Sequence, residues 1–136
     1  MPVEFHFKIP KFYLQKNSII TWIKNCIIYY NYIPGNLNII FISSIEIIEL
    51  NKKYLNHNYE TDILTFNYND KNIINGDIFI CIKQVKTNAI EYNTSFENEV
   101  NRVIIHGILH LIGFDDSNKT LTAKMRDEED FWLNKL

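Results

Sequence analysis

Two histidines set one helical turn apart, followed by a glycine and then a pair of acids, constrain this chain more than anything else in it. Residues 103–116 read Val-Ile-Ile-His-Gly-Ile-Leu-His-Leu-Ile-Gly-Phe-Asp-Asp. At 3.6 residues per turn, His106 and His110 leave the same face of a helix and can close on one ion. Zinc suits two imidazoles, and a catalytic zinc needs three protein ligands with a fourth position left open. Gly113 can take the left-handed conformation that ends a helix, so the chain can reverse after Ile112. That reversal brings Asp115 or Asp116 back across the histidine face as the third ligand. The alternative is that the two histidines are simply packed or solvated, and the glycine and acids downstream weigh against it.

Gly107, between the histidines, narrows the chemistry further. In zinc peptidases of the H-E-x-x-H type that position carries the glutamate that serves as general base, and glycine cannot do so. Glycine in mid-helix also costs about 1 kcal/mol relative to alanine, which implies that another backbone packs closely there.

The run HGILHLIGFDD resembles the signature H-G-x-L-H-L-x-G-[YF]-D-H of the YbeY family of bacterial endoribonucleases and ribosomal RNA maturation factors, departing only at its last position. The segments LNKKY (50–54), TDILTF (61–66) and GDI (76–78) resemble the family's LN-x-x-Y, TD-[VI]-L-[ST]-F and GDI in the same order, so the likeness spans most of the chain. It implies a zinc-dependent, single-strand-specific endoribonuclease acting in small-subunit rRNA 3′-end maturation and ribosome quality control. The implied partners are ribosomal RNA and the small ribosomal subunit, with a ribosomal protein or GTPase as a further candidate. His106, His110 and Asp116 fall on the three metal-ligand positions, with one zinc per chain. The family's last motif histidine is Asp116 here, which keeps a ligand but changes the charge of the site by one unit. The arginine that usually follows the LN-x-x-Y tyrosine is Leu55, so a planar cation suited to phosphate is missing.

Catalytic candidates are His106, through the ion, and Asp115, the nearest carboxylate without a ligand role. Asp115 can orient the site or accept a proton, and a plain loop-capping role is the alternative. Candidate RNA contacts are Lys52 and Lys53, at the end of a helix, and His57, in a polar loop with Asn56, Asn58 and Tyr59. The formal net charge of −2 does not fit a general nucleic-acid binder, because such affinity rests on neutralising phosphates. RNA binding must be local or shared with a partner. A non-enzymatic ribosome-assembly factor with a structural zinc is the rival reading. Coordination separates the two, since a structural site is closed by four protein ligands.

A chain of 136 residues is expected to form one domain, 1–136. Cys26 and Cys81 lie among apolar residues outside any C-x-x-C pattern, as buried thiols in a reducing compartment do. With no signal segment and no long apolar run, a soluble cytoplasmic protein with no membrane association is expected. Alternation over Val3–Ile9 predicts a half-buried strand ending at Pro10, with His6 on its polar side. Asn17 or Ser18 would cap a helix through Tyr30. Pro34-Gly35-Asn36 reads as a turn before a strand at Leu37–Ile42 buried on both faces. Ser43-Ser44-Ile45-Glu46 is a capping box for a helix to about Leu55.

Strands follow at Thr61–Phe66 and at Gly76–Ile82, the second with Asp77 at its mouth in a structural role. A helix runs from Lys83 to about Tyr92, and Thr94-Ser95-Phe96-Glu97 is the capping box of the metal helix. Thr120 or Thr122 would open a last helix whose Asp127-Glu128-Glu129-Asp130 form a solvated acidic face. Four strands in a mixed sheet and about five helices, with the metal site at the end of a central helix, make an α+β domain.

Overall fold

The computed structural model describes residues 2–57 and 61–136. Asn58 and Tyr59, part of the polar loop read from the sequence, lie outside the described residues. The described elements are β1 (Val3–Phe7), α1 (Lys16–Tyr29), β2 (Ile33–Ile42), α2 (Ser44–Leu55), β3 (Ile63–Asn67), β4 (Ile73–Cys81), α3 (Ile82–Glu91), α4 (Phe96–Ile112) and α5 (Lys119–Leu133). The strands form one mixed sheet in the order β1-β2-β4-β3. β1, β2 and β4 run parallel, and β3 pairs antiparallel to β4 at the edge.

The near-continuous apolar run of β2 is explained by two separate cores. Leu37, Ile39 and Phe41 face the main core, beside residues of α1, α4 and α5. Ile40 and Ile42 point the other way, into a smaller cluster with Ile47 of α2, Leu64 and Cys81. Strands buried on both faces need no polar alternation, and each isoleucine removed from water contributes about 1.5–3 kcal/mol. Helix α4 is the central element, touching β3, β4, α1, α3 and α5.

Several boundaries differ from the sequence reading, each for a local reason. Pro34-Gly35-Asn36 is not a turn but the bulged start of β2, whose register against β4 slips between Pro34 and Leu37. Gly35 is required by close approach: a Cβ there would lie 2.6 Å from the Ile74 carbonyl oxygen and 2.1 Å from Asn75 Oδ1. β4 starts three residues earlier than expected, so Asp77 lies inside the strand, opposite Asn38 and Phe66, and not at its mouth. Its carboxylate accepts a hydrogen bond from Asn38 Nδ2 at 3.0 Å, a structural role.

The caps also shift. α1 starts at Lys16 after Gln15, so neither Asn17 nor Ser18 caps it. Ser43 caps α2 as read, accepting from the Glu46 amide. In α4 the cap is Ser95, one residue later than the box beginning at Thr94, and it accepts from the Asn98 amide. Asn118 caps α5 in place of Thr120 or Thr122. Asparagine and serine fill these positions because their short side chains reach the free amides of the first turn. Cys26 and Cys81 are both buried free thiols, and burial pushes the Cys26 thiol up. No described helix is long and apolar enough to cross a membrane.

Candidate metal centre

Helix α4 holds its two histidines steady because its opposite side is locked into the core. Val100, Val103, Ile104, Ile108 and Leu111 are buried, spaced as one stripe of an amphipathic helix. Gly107 sits against the sheet, where a Cβ would approach Ile63 Cδ1 to 2.9 Å and Ile78 Cγ2 to 3.1 Å. The close neighbours expected there are therefore isoleucine side chains and not another backbone. His106 and His110 project from the other side, with side chains 22% and 26% exposed.

Gly113 ends α4 with φ +120°, and its amide reaches back to the Leu109 and His110 carbonyls. Phe114 then donates its amide to Leu109 O at 3.0 Å and sets its ring against Tyr30. This hydrogen-bonded reversal carries Asp116 to the histidine face, as Gly113 implied. Asp116 Oδ2 lies 3.5 Å from His106 Nε2 and 3.5 Å from His110 Nε2, while the two Nε2 atoms are 3.0 Å apart. A tetrahedral ion with bonds of about 2.0–2.1 Å holds its donors about 3.3 Å apart, so this triangle has the dimensions of three corners of a zinc tetrahedron. Among the described residues, His106, His110 and Asp116 are the histidine–carboxylate group drawn close enough to share an ion.

The residue behind this triangle is not among the site residues expected from the sequence. Glu129 was read as part of a solvated acidic face, yet its side chain is only 6% exposed and its Oε2 lies 2.6 Å from His106 Nδ1. A carboxylate can only accept, so Nδ1 carries the proton and Nε2 presents its lone pair to the triangle. Glu129 Oε1 in turn accepts from Arg102 at 2.8 Å, and the other arm of that guanidinium reaches Asp130 at 2.6 Å. Burial works against charge on both partners, but the bond and the opposite charges prevail. Glu129 is held below its ordinary value and His106 above its own. A signal did exist in the sequence. Met125, Glu129 and Trp132 stand at i, i+4 and i+7 and are the buried residues of α5, so Glu129 lies on the apolar stripe and not on the acidic face.

Asp115 has its carboxylate engaged in the loop, accepting from the Asp116 amide and from Ser117 Oγ, both at 2.7 Å. Those hydrogen bonds hold its pKa below the ordinary value. Its geometry is that of the loop-capping residue, the second of the two roles weighed for it. Asp62, which the sequence reading left inside its strand motif, lines a cavity of about 160 Å³ together with His106, Asp116, Glu99 and Arg102. Burial raises the Asp62 carboxyl against the pull of His106 and of the Asn88 amide. Lys52 and Lys53 occupy the last turn of α2, and His57 follows its left-handed cap Asn56. The structure brings none of the three into the triangle. Their helix neighbours Tyr54 and Leu55 line a second groove with His110 and the strand β3.

A sequence profile described as Endoribonuclease YbeY matches residues 6–136. The chain belongs to the YbeY family. An Endoribonuclease YbeY from Azobacteroides pseudotrichonymphae is 45% identical over 123 residues, covering 90% of this chain and 88% of the relative. One from Flavobacterium psychrophilum is 36% identical over 128 residues, covering 94% and 91%. The solution structure of TM1509 from Thermotoga maritima superposes with a TM-score of 0.66 at 27% identity, covering 97% of this chain and 87% of that one. The four-stranded mixed sheet with five described helices is thus shared with a solved structure. Within the YbeY family this chain carries an aspartate at its third candidate ligand position.

Proposed function

We propose that the protein is a zinc-dependent, single-strand-specific endoribonuclease acting in small-subunit rRNA 3′-end maturation and ribosome quality control. The observation that carries this reading is the triangle of His106 Nε2, His110 Nε2 and Asp116 Oδ2, sized for zinc and backed by Glu129. Three ligands among the described residues leave a coordination position free, the arrangement of a catalytic site and not of a closed structural one. A zinc ion, when bound, supplies Lewis acidity, drawing charge from a phosphoryl oxygen and making water more acidic. The relatives named Endoribonuclease YbeY supply the substrate class.

The chain's own residues do the rest. Glu129 keeps the proton on His106 Nδ1 and fixes the ring, so His106 acts catalytically as a ligand of constant tautomer. Asp116 brings one negative charge, which lowers the net charge of the loaded site relative to three imidazoles. Asp62 is the carboxyl on the adjoining cavity whose pKa burial raises above its ordinary value, which makes it the more basic carboxylate there. That makes it a better proton acceptor than Asp115, whose oxygens are held by the loop. RNA contact at Lys52, Lys53 and His57 belongs to the same reading, as does a cytoplasmic setting with the small ribosomal subunit and a ribosomal protein or GTPase as partners.

The rival, a non-enzymatic assembly factor with structural zinc, draws its support from Leu55 in the arginine position and from the net charge of −2. One experiment separates them: cleavage of a ribosomal RNA precursor by purified protein, with and without chelator, beside Asp116→Ala. Chelator-sensitive cutting that Asp116→Ala loses is the expected result. Intact RNA at full zinc occupancy would overturn the nuclease reading in favour of the assembly factor.

A further inference from the structure

Beside the metal triangle, an open groove of about 460 Å³ runs along the free edge of β3, between Tyr54 and Leu55 of α2 and His110 of α4. Its size falls within the range of about 300–1,000 Å³ usual for small-ligand sites. Tyr54 is 54% exposed although it belongs to an aromatic cluster. Phe66 meets its ring edge-on at 5.3 Å between centroids, and Phe79 supports Phe66 in the same way at 5.7 Å. Lys53 Nζ stands 5.1 Å from the Tyr54 ring centroid. The ring is therefore met edge-on by Phe66 and half open to solvent, with the Lys53 ammonium lying over it, so a base that stacks there takes the place of that flexible side chain. Leu55, 48% exposed, makes the adjoining wall apolar.

We propose that this groove holds an unpaired nucleobase of the RNA strand, stacked on Tyr54, while the neighbouring phosphate sits at the metal triangle. The inference rests on the nuclease reading and adds to it how the strand is gripped. Every base has a π-face, so an exposed aromatic ring beside a cation is the general platform for single-stranded RNA. His110 belongs to both the groove and the metal triangle, which makes the two continuous. A wall of leucine and tyrosine suits a base and not a phosphate. Among the described residues β3 pairs with β4 alone, so its outer backbone edge offers hydrogen bonds to the edge of the same base.

The test is steady-state cleavage of a single-stranded RNA by the zinc-loaded protein, with single abasic residues walked along the strand. For the wild type, one abasic position next to the cut raises KM about five- to hundredfold, the range of a lost base–aromatic stack, with kcat within about twofold. Tyr54→Ala raises KM by a similar factor and becomes indifferent to that abasic position, while Tyr54→Phe behaves as wild type. Zinc content and the circular dichroism spectrum stay unchanged in both variants. An unchanged KM in Tyr54→Ala, or a variant still sensitive to the abasic residue, overturns the proposal while leaving the nuclease reading intact. The same outcome follows if the β3 edge takes an extended peptide instead. A wild-type protein that cuts no RNA at all overturns both.

Discussion

His106 on α4 and Glu129 on α5 are joined by a 2.6 Å hydrogen bond between Nδ1 and Oε2, across 23 residues of sequence. Everything about the histidine's readiness for a cation depends on it. The bond assigns the proton, aims the ring, and ties the metal helix to the last helix of the fold.

Removing Glu129 should therefore weaken metal binding without touching a ligand. Glu129→Ala is expected to lower zinc affinity about 10–100-fold, the usual loss when the partner of a ligating histidine goes. Glu129→Gln keeps an acceptor for Nδ1 and should lose less. Competition with a chromogenic chelator measures both, and wild-type affinity in Glu129→Ala would refute the orienting role.

The ligand set itself is tested by placing a histidine at position 116. Asp116→His should retain one zinc per chain by elemental analysis, with the net charge of the site one unit more positive. His110→Ala should lose the zinc and the RNA cleavage together. Undiminished zinc in His110→Ala would mean that the ion sits elsewhere.

The Tm of the metal-free protein and the increment that zinc adds to it should move in opposite directions with pH. His106 is raised above its ordinary value of about 6.5, so its contribution to stability is full below that pH and is lost as pH rises through the higher folded value. Glu129 is lowered, so its contribution is present above the ordinary carboxylate range and is lost as pH falls through its folded value. The metal-free Tm should accordingly decline on going from pH 6 to pH 8, while the increment in Tm on adding zinc grows, because the ion needs the Nε2 that the proton vacates. Calorimetry at stepped pH decides it, and a zinc increment that shrinks with rising pH would contradict the pairing.

Gly113 at φ +120° has open space around it but a backbone conformation that other residues take at a cost. Gly113→Ala should destabilise the protein by about 1–3 kcal/mol and loosen zinc binding, since the reversal that aims Asp116 is disturbed. Urea unfolding of the zinc-loaded and metal-free variant separates the two effects. An unaltered midpoint in both would show that the reversal tolerates a side chain.

Much of this was legible in the residues. The spacing of His106 and His110 and the break at Gly113 are local, and helical periodicity decides which face the histidines occupy, while the residues alone left Asp115 and Asp116 both open as the third donor. The two-sided burial of Leu37–Ile42 was equally plain. The losses came where distant segments arbitrate. Gly35 looks like a turn until Asn75 and the Ile74 carbonyl crowd it into a bulge. Glu129 looks solvated within a run of four acids until Arg102 and His106 arrive from another helix. Asp62 gains its raised pKa from burial that no neighbour in sequence announces. The aromatic shelf at Tyr54 needs Phe66, from a different element, to prop it.

The metal triangle is unevenly mounted. Two of its donors stand on a helix fastened to the sheet and to three other helices, whereas the third hangs from a short surface bend, 39% exposed at Asp116. An ion held there would be open to solvent chiefly on the carboxylate side, so a competing chelator would approach past Asp116 and not past the helix.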